Sequence, residues 1–195
     1  MNSGELKRAK RAVRRRVLEL RDAIDPTTRD RAGVVIARRV ASLPEVSAAG
    51  TVMAFWSFGS EVPTAPLLAL LRERGVRVAL PRIEGSRLEL RTWTPGDPVE
   101  ATGFGAMEPV GGETVAPSVP DVVVTPAVAF DRTGRRVGYG GGFFDRLFDE
   151  VRPDAFRVGI AFDLQVVTEQ LPAGAFDRTV DAVVTETEVV RCPRP

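Results

Sequence analysis

From Thr51 onward, strand-like and helix-like stretches take turns along this chain. A β-rich run from Thr51 to Trp56 precedes a helical stretch from about Thr64 to Arg74, which Gly75 stops, and a second β-rich run, Val76 to Leu80, follows. That is a βαβ unit. Leu88 to Trp93, Asp121 to Thr125, Val128 to Phe130, Arg157 to Phe162 and Ala182 to Thr185 have the composition of further strands. A helix is expected from about Gly142 to Val151. Such alternation predicts an α/β fold: a mostly parallel sheet with helices on both faces, a compact three-layer arrangement. At 195 residues, 44% of them apolar, the chain has the size of one domain around one substantial core, so 1–195 is expected to be a single domain. Pro95 to Pro120, rich in Pro, Gly and Glu, is expected to be a long irregular connection.

Two helices are expected before the sheet. Leu6, Ala9, Val13, Val17, Leu20 and Ile24 recur at helical spacing and form one apolar stripe. Asp25-Pro26-Thr27 then marks a helix start, with a capping residue followed by an early proline, and Ala32, Ile36, Val40 and Leu43 give the second buried face. Pro44 is expected to close this section. At about 100° per residue, Lys10 and Arg14 flank the first stripe, whereas Arg11 and Arg15 lie towards its far side.

Composition removes whole classes of chemistry. The chain has no histidine, which excludes serine-histidine-aspartate triads, histidine general bases and histidine metal sites. One cysteine, Cys192, allows neither an internal disulfide nor a thiolate zinc site. Chemistry must run on carboxylates, cations, backbone and cofactors. No apolar run has signal-peptide or membrane-span character, so a soluble cytoplasmic protein is expected, without membrane partners. The net charge is +1, although residues 1–40 hold 12 basic and 5 acidic side chains. No nucleic-acid-binding motif accompanies that charge, and nucleic acid is not an expected partner.

In open α/β sheets ligands gather beyond the carboxyl ends of strands. Two segments qualify: Trp56 to Glu61, after the first strand, and the glycines after Phe130. Gly138, Gly140, Gly141 and Gly142 stand just ahead of a helix, where missing side chains let backbone N–H groups approach phosphate oxygens. The pattern fits neither a Walker A loop nor the dinucleotide fingerprint.

The longer stretch AVAFDRTGRRVGYGGGFFDRLF, residues 127–148, resembles the signature of the 5-formyltetrahydrofolate cyclo-ligase family. The likeness extends to Lys10 and Arg14, to Glu61, to Glu108-Pro109, to Gln165 and to Asp177 ahead of a last strand. It implies an enzyme that uses ATP and Mg2+ to convert 5-formyltetrahydrofolate to 5,10-methenyltetrahydrofolate, releasing ADP and phosphate. It implies that ATP phosphates meet Lys10, Arg14, Arg136, Val137, Gly138, Tyr139, Gly140, Gly141, Gly142, Phe143 and Phe144, with Lys10 and Arg14 also serving catalysis. The folate would meet Trp56, Glu61, Phe104, Tyr139 and Phe143, and Mg2+ would meet Asp145 and Asp177. Some relatives carry a lysine where Gly141 stands, a tyrosine pair in place of Phe143-Phe144, and a histidine in place of Phe176. A monomer is expected. The competing reading is a relative that binds folate or nucleotide without catalysis, against which the retained metal aspartates argue.

Overall fold

The computed structural model describes residues 2–103 and 105–193. Helix α1 (Ser3–Asp22) starts at Asn2, whose side chain accepts from the Glu5 N–H while the Glu5 carboxylate accepts from the Asn2 N–H. This reciprocal pair satisfies two donors that a helix start leaves open. Helix α2 (Pro26–Ala41) begins where the sequence places it: Asp25 accepts from the Thr28 N–H at 3.0 Å, and Pro26 opens the helix. Pro44 does not close the section. It opens a short helix, α3 (Pro44–Ser47), a first-turn position where its missing N–H costs nothing.

The chain then alternates as expected through β1 (Thr51–Met53), α4 (Ala65–Glu73), β2 (Arg77–Glu84) and β3 (Arg87–Thr92). The stretch expected to be irregular contains three short strands: β4 (Val99–Ala101), β5 (Met107–Pro109) and β6 (Thr114–Val115). Next come β7 (Val122–Thr125), β8 (Ala129–Asp131), β9 (Arg136–Val137), α5 (Phe143–Glu150), β10 (Phe156–Ile160), β11 (Val166–Val167), β12 (Ala182–Val184) and β13 (Val189–Arg191).

The main sheet has the order β13-β12-β10-β7-β1-β2-β3-β6. Its centre, β12 to β2, is parallel, and its outer pairs are antiparallel. Strand alternation sends Val52, Val78, Val122, Val124, Val158 and Val184 towards α2 and α4. Met53, Ala79, Val123 and Val183 point the other way, to α5 and Phe130. Both faces are covered, which is why these strands read as nearly unbroken apolar runs.

The expected strand at Val128 to Phe130 does not join this sheet. Pro126, which has no N–H to give, follows β7, and β8 then becomes the centre of a small sheet in the order β11-β8-β9. Helix α1 lies on that small sheet, packing Val13, Val17 and Leu18 against Val128, Ala129, Val137, Val167 and Leu171. Its buried line departs from the expected stripe: Leu20 is 52% exposed, and Arg21, at 3%, is buried one position further on. The line follows i, i+4 steps from Val13 through Val17, so it reaches Arg21 and passes Leu20 by. Cys192 is free, and burial pushes its thiol up to about 11, leaving it protonated at neutral pH. No helix among the described residues is long and apolar enough to cross a membrane.

Candidate active site

Beyond the carboxyl ends of β1 and β7 lies a cavity of about 830 Å³. Its lining brings together residues from α1, from the loop after β1, from β2, β3 and β5, from the loop between β9 and α5, and from the segment before β12.

The glycine loop is the turn from β9 into α5. Gly140 (φ +110°) and Gly142 (φ +67°) occupy backbone conformations that side chains disfavour. Gly142 is the N-cap of α5, and no side chain caps the helix there. The first-turn N–H groups are thus left to a ligand or to water, at the end of the helix dipole that favours anions.

Cations surround this loop. Arg14 donates from Nε to the Gly138 carbonyl at 2.5 Å, which fixes its guanidinium against the backbone. One turn earlier, Lys10 Nζ sits 2.5 and 2.6 Å from the two carboxylate oxygens of Asp177. Arg136, 8% exposed, donates from Nη2 to Asp145 at 2.7 Å. Arg11 and Arg15 are exposed, as the helical arithmetic predicts. Burial, and then the charge of Arg11, lowers the pKa of Arg14, and burial lowers that of Arg136. Both cations therefore sit where an added anion is favourable.

A second cluster lines the same cavity. Glu61 is 6% exposed; one carboxylate oxygen accepts from the Phe58 N–H at 3.1 Å and the other from the Tyr139 hydroxyl at 3.0 Å. Burial raises its pKa to about 7, and the Phe58 N–H, the Tyr139 hydroxyl and the charge of Arg21 pull against that rise. The Tyr139 ring lies 5.4 Å from Phe58, tilted by 37°, and Trp56 meets Trp93 edge to face at 5.2 Å. Ile83, Leu88, Met107 and Phe143 add apolar wall, and buried Glu108 accepts from the Ile83 N–H at 3.0 Å. Flat aromatic surface beside a buried carboxylate suits a planar heterocycle with hydrogen-bonding edges.

Of the residues singled out from sequence, Lys10, Arg14, Trp56, Glu61, Arg136, Gly138, Tyr139, Gly140, Gly141, Gly142, Phe143, Phe144, Asp145 and Asp177 all line this cavity. Val137 does not; its side chain is buried beneath α1, and its carbonyl accepts from the Val128 N–H. Phe104 lies outside the described residues. Phe58, Ile83, Leu88 and Met107 also line the cavity without standing out in the sequence; Arg21, missed as well, lies outside the lining and reaches it through the Tyr139 hydroxyl. Its signal was present: a charged residue four positions after Val17, on the helix's buried line.

For a cation, Asp145 and Asp177 line the one cavity but already bind Arg136 and Lys10. Among the described residues no three acidic, cysteine or histidine side chains form a metal-binding group. The pair therefore suits Mg2+ that arrives on phosphates and keeps waters, and does not form an all-protein cage.

A model of the 5-formyltetrahydrofolate cyclo-ligase family matches residues 6–186. The chain is 35% identical over 179 residues to the 5-formyltetrahydrofolate cyclo-ligase of Escherichia coli K12, covering 89% of this chain and 98% of that one. It is 29% identical over 171 residues to the Haemophilus influenzae 5-formyltetrahydrofolate cyclo-ligase, covering 85% and 91%. Among solved structures, Aquifex aeolicus 5,10-methenyltetrahydrofolate synthetase superposes with a TM-score of 0.84 at 34% identity, over 95% of this chain and 94% of that one.

Proposed function

This chain belongs to the 5-formyltetrahydrofolate cyclo-ligase family, and on that premise we propose that it converts 5-formyltetrahydrofolate and ATP to 5,10-methenyltetrahydrofolate, ADP and phosphate. The observation that carries the proposal is the shared cavity: Lys10, Arg14 and the glycine loop line it together with Glu61 and Trp56. A phosphoryl donor and a planar acceptor would meet there. We take residues 1–195 to act as one domain, in the cytoplasm.

A formyl oxygen is a poor leaving group and a phosphate ester a good one. The γ-phosphoryl group passes to the formyl oxygen, N10 then attacks the activated carbon and gives up its proton to solvent, and the C–O bond breaks to release phosphate as the ring closes. Phosphoryl transfer asks a protein for positioning and for positive charge, more than for a nucleophile. Lys10, Arg14, Arg136 and the N–H groups at the start of α5 supply both. Trp56, Tyr139 and Phe143 offer ring faces to the pterin, and Glu61 offers an acceptor to its edge. Asp145 and Asp177 would hold Mg2+ carried on the phosphates, which spreads the charge of the transferring group.

Incubation with 5-formyltetrahydrofolate should give the near-ultraviolet absorbance of 5,10-methenyltetrahydrofolate only when ATP and magnesium are both present. Tight folate binding without turnover would instead identify a non-catalytic binder. Asp145→Asn and Asp177→Asn should each raise the magnesium concentration needed for half-maximal rate and lower kcat, with the far-ultraviolet spectrum unchanged. A magnesium titration that neither substitution moves would remove both residues from the metal site.

A further inference from the structure

Arg21 is a cation on the buried face of α1, and no carboxylate among the described residues lies within ion-pair distance of it. Burying a guanidinium with no carboxylate in direct contact is costly, and its Nη1 is buried with no hydrogen-bond partner. Such a residue is out of place if packing is its only task. Its other two nitrogens are engaged. Nε donates to the Ser60 hydroxyl at 2.9 Å, and that hydroxyl donates onward to Asp22. Nη2 donates to the Tyr139 hydroxyl at 2.8 Å, and the guanidinium carbon lies 5.8 Å from the centre of the Tyr139 ring. The Tyr139 hydroxyl, with its oxygen taken up as an acceptor, turns its own proton to Glu61 at 3.0 Å.

We propose that Arg21 is a positioning residue: through the Tyr139 hydroxyl it fixes the Glu61 carboxyl group where it faces the cavity, and it ties the glycine loop to the wall that carries Glu61. The chain of donors has one direction, from Arg21 to Tyr139 to Glu61, so it stabilises the carboxylate and opposes the carboxylic acid. The Phe58 N–H, which donates to the second oxygen, acts in the same sense. Glu61 thus has protein donors on both oxygens, from its own loop and from the glycine loop, while Arg21 of α1 is the guanidinium among the described residues whose charge acts on it. The other charged groups on the cavity are engaged elsewhere: Lys10 with Asp177, Arg136 with Asp145, Arg14 with the Gly138 carbonyl and Glu108 with the Ile83 N–H. Exposed Lys7 completes the charged lining. Arg21 contacts no substrate on this view. It acts through the two residues it holds, and the consequence for catalysis rests on the reading that Glu61 meets the pterin.

The test is made on the ligand-free protein, so that the relay is measured apart from the reaction. Protein labelled with carboxyl-13C glutamate is titrated by NMR, with the Glu61→Gln spectrum identifying the Glu61 signal. The wild-type midpoint is expected near 7, where burial places it. In Arg21→Met it should rise by about one pH unit, because a stabilising charge is gone. Tyr139→Phe, which deletes the bridging hydroxyl and keeps Arg21, should raise it less. The double variant should fall short of the sum, since both changes cut one chain. Arg21→Lys should restore part of the shift. A midpoint unmoved in Arg21→Met, with only the melting temperature lowered, would overturn the relay. If Arg21→Met fails to fold, an unmoved midpoint in Tyr139→Phe does the same. The acidic limb of kcat/KM for 5-formyltetrahydrofolate should follow the NMR midpoint from variant to variant. Midpoints that move while that limb stands still would refute the folate reading of Glu61 and leave the relay standing.

Discussion

Replacing Lys10 or Arg14 with alanine is expected to lower kcat/KM for ATP on the order of 10²- to 10³-fold, as the loss of one preorganised donor to a charged transition state does elsewhere. Arg11→Ala and Arg15→Ala, one position away on the same helix, should change it by less than about twofold. The contrast follows from geometry. Lys10 and Arg14 are half-buried at the cavity, while Arg11 and Arg15 face water. The two active positions should also differ from each other. Arg14 pins the Gly138 carbonyl, so its loss loosens the glycine loop itself, and Arg14→Lys should recover only part of the rate because a lysine has no planar fork. Lys10 neutralises Asp177, so its loss frees that carboxylate and should lower the magnesium concentration needed for half-maximal rate. Steady-state kinetics at fixed folate, with melting temperatures as a control for folding, check this set. Equal and small effects at all four positions would remove α1 from the phosphate site.

Glu61→Gln should reduce kcat/KM for 5-formyltetrahydrofolate by about 100-fold, the scale of one lost hydrogen bond to a charged group. Its effect on stability depends on pH. The folded-state pKa is raised, from 4.5 to about 7, so between those values the folded protein binds more protons than the unfolded chain. Wild-type stability therefore carries its full contribution from Glu61 below about 4.5 and loses it progressively as pH rises to about 7. The total loss is on the order of 3 kcal/mol. Glutamine does not titrate. The unfolding free energy of wild type relative to Glu61→Gln should fall between pH 5 and pH 8, measured by urea denaturation. A difference that stays flat over that range would mean Glu61 is not held as a buried titrating group.

What the sequence revealed depended on how far a signal extends along the chain. The parallel core was legible because β1, β7, β10 and β12 bury both faces and so read as apolar runs, and α2 because Asp25 and Pro26 mark its start. Strands of two or three residues, such as β6, β9 and β11, are too short to show a period. They exist because neighbours pair with them. The split between Lys10 and Arg14 on one side and Arg11 and Arg15 on the other was legible from the helical angle alone. The partners were not: Asp177 reaches Lys10 across 167 residues. Gly141 has a steric reason that its place in the sequence does not reveal. A Cβ at Gly141 would stand 2.7 Å from the Phe143 ring, so a side chain there requires that ring to move.

Helix α1 brings Lys10 and Arg14 to the cavity, yet it rests on the small sheet, away from the shared core of α2, α4 and the main sheet. Polar ties add to this packing, among them Lys10 to Asp177, Arg14 to Gly138, Arg16 to Glu169 and Arg21 to Tyr139 and Ser60. Detaching α1 uncovers far less apolar surface than unfolding the whole protein does, so its amides are expected to exchange with solvent ahead of those of the central strands, which native-state hydrogen exchange would check. An anion that bridges α1 to the glycine loop opposes that detachment. Under the proposed function, nucleotide occupancy is expected to register first in the exchange rates of the N-terminal helix, while the slowest-exchanging amides of β1, β7 and β10 report the global stability.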